Sequence, residues 1–267
     1  MERNKVSFTA KDVAALRQKT GLGMMDCKKA LTEVGGDISA AEEWLREHLK
    51  GKMEKRTERA TAEGRIGIHI DNAQAVMVEV QTETDFTAKN DLFLKAVEDI
   101  TNHAFGLPAG PVSATDEITK RVDDLRISTG ENVNFARGEK LEGGAFGHYL
   151  HHDGKRAAIV QIEGTADADL LKGICQHIVF HDPAGVSEDD IPAAELDKVR
   201  AEAIKEAKES GKPEQIAEKI AEGKVRKHLE QSVLLYQKYV HDESQQVKAI
   251  LPAGVTIKRF VRYTLGM

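Results

Sequence analysis

Between residues 9 and 49 the apolar positions recur every three or four residues in three short runs. Thr9 with Asp12 three residues on makes a capping-box start, and Val13 and Leu16 begin a stripe behind it. Gly21 and Gly23 break the chain, after which Met24, Cys27, Leu31 and Val34 are spaced to share one helix face. Gly35-Gly36 ends that run, and Asp37 can cap a third helix with Ile38, Ala41, Leu45 and Leu49 inward. From Gly51 to Glu63 almost nothing is apolar, which reads as a linker or an exposed helix.

Beyond it the period changes to two. Ile66, Ile68 and Ile70, then Val76, Val78 and Val80, flank Asp71-Asn72-Ala73-Gln74, the pattern of a hairpin. A helix with Phe93, Val97, Ile100 and Ala104 on one side follows. Strand patterns resume at 133–137, 146–150 and 157–162, the last two joined through Asp153-Gly154, and 170–180 is helical again. Residues 193–240 read as an antiparallel helical hairpin with a thin stripe. Leu196, Val199, Ala203 and Ala207 lie on its first arm, Ser210-Gly211-Lys212-Pro213 at the turn, and Ile216 and Ile220 on the second. Ile257, Val261, Tyr263 and Leu265 suit a final strand returning to a sheet. Strands and helices mixed in this order give an α+β fold rather than a doubly wound sheet. The expected segments are a three-helix domain over 1–50, a linker over 51–63, and a first core subdomain over 64–143. A second core subdomain takes 144–190 and 241–267, with the hairpin inserted at 191–240.

Length and charge narrow the classes. The chain has 267 residues, of which 31% are charged, enough for roughly two domains with long solvated helices. Lys and Arg (38) against Asp and Glu (44) leave a net charge of −6, which disfavours a basic face for nucleic acid. No run is long enough to span a membrane, and the charged start Met-Glu-Arg-Asn-Lys-Val-Ser-Phe is no signal peptide. Cys27 and Cys175 lie far apart without metal-like spacing, so a reduced, cytoplasmic protein is expected.

Catalytic motifs are missing: no phosphate-cradling loop, nucleophile elbow, HExxH or CxxC occurs. The histidines come nearest to a site, with His148, His151 and His152 around Tyr149 and with His177 and His181 four apart. A metal site from these is a competing reading, against an ordinary polar turn at His151-His152-Asp153-Gly154. No cofactor, metal or bond-breaking chemistry is expected. Two features do speak. Met25 shares a polar helix face with Lys28, Lys29 and Thr32, where it is either an adaptable contact or packing on its own linker. Phe86, in Thr82-Glu83-Thr84-Asp85-Phe86-Thr87-Ala88-Lys89-Asn90-Asp91, follows a strand and precedes a helix among polar neighbours. It either staples the helix start or awaits a partner, and Asp85 can cap the helix or present its charge outward.

The run Leu16-Arg17-x-x-Thr20-Gly21-x-Gly23-Met24-Met25-Asp26-Cys27-Lys28-Lys29-Ala30-Leu31 closely resembles the N-terminal signature of the bacterial translation elongation factor Ts family. Thr84-Asp85-Phe86-x-Ala88-Lys89-Asn90 is similar to the family's second signature. Further resemblances are Gly130-Glu131-Asn132, Ser210-Gly211-Lys212-Pro213 with Ile216-Ala217-Glu218-Lys219, and Arg259-Phe260-Val261-Arg262. The resemblance implies a guanine nucleotide exchange factor for elongation factor Tu. Its three-helix domain would be ubiquitin-associated-like, with Arg17, Met24 and Met25 on the GTPase. Asp85 and Phe86, introduced by Thr84, would intrude beside the GTPase's magnesium and phosphate region. His151, after Tyr149-Leu150, would make another contact, with His152 as the neighbouring register, and the hairpin would be the family's coiled-coil arm. Monomer and homodimer are both left open. An adaptor without exchange activity and a histidine-cluster metalloenzyme are the competing classes, and neither accounts for both signatures together.

Overall fold

The computed structural model describes residues 8–54, 57–71 and 73–267. The N-terminal residues inspected for a leader, and Asn72 of the hairpin turn, therefore lie outside the described residues. The chain divides into two compact units. One holds the described residues up to His69 with Val76–Lys140 and Leu265–Met267; the other holds Ile70–Ala75 and Leu141–Thr264. Helices and antiparallel strands are mixed in the α+β manner expected.

In the first unit, α1 (Ala10–Thr20), α2 (Met24–Glu33) and α3 (Ile38–Glu54) form a bundle. The Thr9 capping box forms, with Asp12 Oδ2 accepting from Thr9 N at 2.6 Å, and Asp37 Oδ1 caps α3 through Ala40 N at 2.8 Å. Because α3 runs on to Glu54, the stretch from Gly51 begins as helix. The bundle's core is Val13, Leu16, Cys27, Ala30, Leu31, Ala41, Leu45 and Leu49. Met24 corrects the expected stripe: it is 58% exposed, because the first residue of α2 projects beyond the core that Cys27, one turn later, enters.

The hairpin strands are β1 (Glu63–Asp71) and β2 (Gln74–Thr82), followed by α4 (Asp85–Ala88) and α5 (Asp91–Phe105). Next come β3 (Gly110–Pro111), α6 (Asp116–Thr129) and β4 (Val133–Glu142), and the sheet order is β1-β2-β4-β3. Val76, Val78 and Val80 meet Phe93, Val97 and Ile100 of α5 and Ile118, Val122 and Leu125 of α6. The sequence pattern assigned only one face of β2 to the core, yet Ala75, Met77 and Glu79 are buried as well. Glu79 is tolerated there because Arg137 Nη2 stands 2.7 Å away and Gln81 and Gly266 N also donate to it. Helix α6, which the pattern did not show, supplies Ile127 to the bundle's core, and Arg46 Nη2 of α3 pairs with Asp124 of α6 at 2.9 Å.

The second unit is built on β5 (Ala145–Leu150), β6 (Arg156–Glu163) and β9 (Thr256–Thr264), paired antiparallel in that order. Helix α7 (Ala168–His181) covers the sheet through Leu171, Ile174, Ile178 and Val179, against Ala158, Val160, Ile162 and Ile257. Helices α8 (Ala193–Glu209) and α9 (Glu214–Ser232) pair along an alanine seam of Ala203, Ala207, Ala217 and Ala221. Ile216, assigned to that seam from its spacing, is instead exposed, and Ala217 beside it is buried. Small residues let two helices approach closely, and a branched side chain at the seam would hold them apart.

The hairpin's second helix also stops at Ser232 rather than near 240. Val233 and Leu234 are fully buried, and Leu234 N donates to Gly185 O at 2.9 Å, so the chain leaves the helix to pack. Strands β7 (Lys238–Tyr239) and β8 (Asp242–Gln246) and the short α10 (Val247–Ile250) lead into β9. No described helix is long and apolar enough to cross a membrane.

Sheet and α7 approach closely at Gly147, where a Cβ would stand 2.4 Å from Leu171 Cβ and 3.2 Å from its Cα. Gly147→Ala must push α7 off the sheet, an overpacking cost of about 1–3 kcal/mol. Urea unfolding followed by circular dichroism should show a lower midpoint, and an unchanged midpoint would contradict this close approach.

Candidate functional site

The turn between β2 and α5 is fixed from beneath. Thr84 is extended and caps α4, its Oγ1 accepting from Thr87 N at 3.3 Å. Glu131, which follows the left-handed Gly130 at the end of α6, reaches under it. Its Oε2 accepts from Thr84 N at 3.0 Å and Thr82 Oγ1 at 2.8 Å, and its Oε1 accepts from Thr84 Oγ1 at 2.6 Å. Burial would raise the Glu131 pKa, but the Thr84, Thr87 and Thr82 side chains and the Thr84 N–H outweigh it and hold the group below its ordinary 4.5. Next to it, Glu83 Oε1 accepts from Asn132 N at 2.6 Å, and Asn132 Nδ2 donates to Arg59 O at 2.7 Å. Arg65 Nε donates to Ala88 O at 3.0 Å, and Asn90 Oδ1 caps α5 through Leu92 N at 2.8 Å.

On this support Phe86 is 84% exposed. It packs on no helix start, so the staple alternative gives way to an outward aromatic. Asp85 is not the cap, a role Thr84 takes; it opens α4 and pairs with Lys89 Nζ at 2.6 Å.

The first signature lies in the same unit. Gly21 closes α1 at φ 71°, its N–H donating to Arg17 O at 2.8 Å, and Gly23 opens α2. A Cβ on Gly21 would stand 3.2 Å from Ser128 Cβ and 3.7 Å from Leu92 Cδ1, so this turn sits against the ends of α6 and α5. Arg17 is exposed, as are Met24 at 58% and Met25 at 74%. Met25 therefore points outward rather than packing on its linker.

His151 belongs to the second unit, so the residues selected from sequence divide between the two. Tyr149 Oη and His151 Nδ1 are 2.7 Å apart, and Phe180 meets the imidazole edge-on with centroids 5.7 Å apart. His152 is exposed beside it, and Leu150 and Phe180 are exposed apolar neighbours. Sequence reasoning quoted Glu131 without giving it a role and passed over Leu150 and Phe180. Glu131 stands 47 residues from Thr84, so no local pattern marks it. Leu150 continues the outward positions of β5, a signal that strand alternation could have supplied.

His177 and His181 have structural partners. His177 is fully buried; its Nδ1 accepts from Val240 N at 3.2 Å, so Nε2 carries the proton and donates to Gln237 Oε1 at 2.9 Å. His181 stacks on it with centroids 4.5 Å apart. Among the described residues, no three His, Cys, Asp or Glu side chains stand together as metal ligands. Cys27 and Cys175 are both buried, and burial pushes the Cys175 thiol far up, away from the reactive thiolate.

Burial pushes His177 down from 6.5 to about 4; the Gln237 bond opposes the shift, and His181 and His241 add to it. A group whose folded pKa is depressed gives its full stabilisation above the unfolded value and loses it as pH falls. The melting temperature should therefore fall as pH drops from about 6.5 towards 4, less steeply in His177→Gln than in the native chain. Equal pH slopes for the two proteins would contradict the burial argument.

A family model described as Elongation factor TS matches residues 83–267. A second, described as Elongation factor Ts, mitochondrial, N-terminal, matches residues 2–52. Between them the two matches take in both signatures, Glu131, and Leu141–Thr264 of the second unit with the helical hairpin. The bacterial branch inferred from the signatures is thereby replaced by the family as a whole, since the N-terminal match carries a mitochondrial description. On this coverage the chain belongs to the elongation factor Ts family.

Proposed function

We propose that this protein is the guanine nucleotide exchange factor of elongation factor Tu, the GTPase partner the family implies. The observation that carries the reading is Phe86, an aromatic side chain 84% exposed on a turn fixed by hydrogen bonds on both sides. An exposed aromatic on a rigid support gives up burial in the free protein and recovers it only against a partner. In the complex Phe86 wedges into the GTPase, while Asp85 brings a carboxylate beside the magnesium and phosphates. Arg17, Met24 and Met25 dock the bundle, whose thioethers adapt to the surface they meet, and His151 makes the contact from the second unit.

No bond is made or broken in this work. Exchange is a coupling free energy: the factor binds the nucleotide-free GTPase better than the nucleotide-bound form, and nucleotide weakens the factor's binding by the same amount. Magnesium and phosphate contacts hold the nucleotide in a GTPase, so an insertion that loosens either one speeds its release. The protein acts in this reading without a cofactor or metal of its own, in the cytoplasm, and binds elongation factor Tu both with GDP and empty.

The test is stopped-flow release of a fluorescent GDP from elongation factor Tu. The native chain should accelerate release by orders of magnitude. Phe86→Ala should keep the fold and lose about 2 kcal/mol of the effect, roughly 30-fold in rate. Exchange at the native rate in Phe86→Ala would remove the insertion from the mechanism.

A further inference from the structure

We propose that Glu131 is a positioning residue for nucleotide exchange, fixing the turn from which Asp85 and Phe86 project and acting on the partner only through them. The inference rests on the exchange reading above and adds to it the group that makes an exposed wedge stiff.

Three observations carry it. The first is geometry. One carboxylate takes donors from both ends of the turn, Thr82 Oγ1 at 2.8 Å where β2 ends and Thr84 N at 3.0 Å and Oγ1 at 2.6 Å where α4 begins. The Thr84 hydroxyl donates to Glu131 and accepts from Thr87 N, so the bonds run from the carboxylate through the cap into the helix that bears Phe86. Bonds to an ionised acceptor are roughly twice as strong as neutral ones.

The second is what lies at the other end of the support. Glu131 leaves α6 through Gly130, whose φ of 74° is a left-handed conformation that few side chains adopt. One turn earlier in α6, Ile127 enters the bundle's core, and Ser128 backs onto Gly21. A single helix end thus seats the Met24–Met25 turn on one side and the Phe86 turn on the other. It sets their spacing before any partner arrives, and preorganisation of this kind removes ordering cost from the binding step.

The third is position. Glu131 is half-buried beneath the turn, whereas Phe86 carries the exposure. Removing Glu131 therefore takes away no contact surface of the wedge itself. Its loss would let Thr84 turn away and free the α4 start to move, so that Phe86 samples orientations unfit for insertion.

A double-mutant cycle on nucleotide release tests this, with the full-length chain and elongation factor Tu loaded with fluorescent GDP. Glu131→Ala should slow exchange on the order of tenfold or more, approaching Phe86→Ala, with Glu131→Gln intermediate because it keeps the size and loses the charge. In the Phe86→Ala background, Glu131→Ala should cost clearly less than in the native chain, since only Asp85 is then left for it to position. A residue that merely stabilised the fold would slow both backgrounds by the same factor. Multiplicative losses, or native rates in both Glu131 variants, would overturn the proposal. If Glu131→Ala fails to fold, Glu131→Gln carries the same cycle. Native exchange in Phe86→Ala alone would remove the insertion and this proposal with it, whereas no acceleration by the native chain would bring down the exchange reading itself.

Discussion

A solvated aromatic stays solvated only if the backbone beneath it is held more firmly than the ring is drawn toward nearby apolar surface. Burying a phenylalanine side chain is worth about 1.5–3 kcal/mol, and Leu92 and Leu94 lie exposed a few residues beyond Phe86. The Glu131 carboxylate supplies the opposing constraint, through bonds to Thr82 and Thr84 whose charged acceptor makes each worth about 1.5–3 kcal/mol. The comparison explains why an ionised acceptor sits under the turn, where a neutral one would give each bond only about 1 kcal/mol. Much else in the first unit follows from this support: the left-handed Gly130 that aims Glu131, the α6 end that reaches the bundle, and the Glu83–Asn132 bond that secures the neighbouring backbone.

Such stiffness fits an exchange function better than an adaptor function. An adaptor needs affinity, which flexible surfaces can provide by repacking. An exchange factor needs a difference in affinity between two states of its partner, and a wedge that yielded to the partner would lose that difference. The two kinds of exposed side chain divide the task. Met24 and Met25 are pliable thioethers on the bundle, suited to a surface that stays put. Phe86 is a rigid ring on a pinned turn, suited to a surface that must be displaced.

Most elements of the fold were legible because their periodicity is strong. The three bundle helices, the first hairpin, α5, α7 and the final strand carry clean spacings of 3.6 or 2, and the caps at Thr9 and Asp37 mark their starts. What stayed hidden was hidden for physical reasons. Helix α6 is masked by its charged outer face, Asp116 to Asp124. Burial on both faces of β2 removes the alternation that would have exposed Glu79 as an interior ion-pair partner. The hairpin's second helix was assigned Ile216 by hydrophobicity, whereas close packing selects the smaller Ala217. At the site, Phe86 and Met25 stood out because an apolar residue among polar ones is a local signal. Glu131 did not, because its partners lie 47 and 49 residues away and a glutamate before a strand looks ordinary.

Within the three residues Thr84, Asp85 and Phe86 the chain combines a fixed point, a charge and a free ring. Thr84 is committed on three sides, to Glu131 twice and to Thr87, and cannot be redirected without breaking the cap. The Asp85–Lys89 pair is exposed at both ends. Pairs of that kind are worth about 0–1 kcal/mol, so Lys89 adds little to what holds the Asp85 carboxylate in place. Phe86, between the cap and the pair, has its cost set entirely by the water it leaves. The order of these three along the chain makes the turn immovable at its root and reactive to a partner at its tip. A carboxylate beside the ring then arrives wherever the ring does, which is what the proposed exchange role asks of the turn.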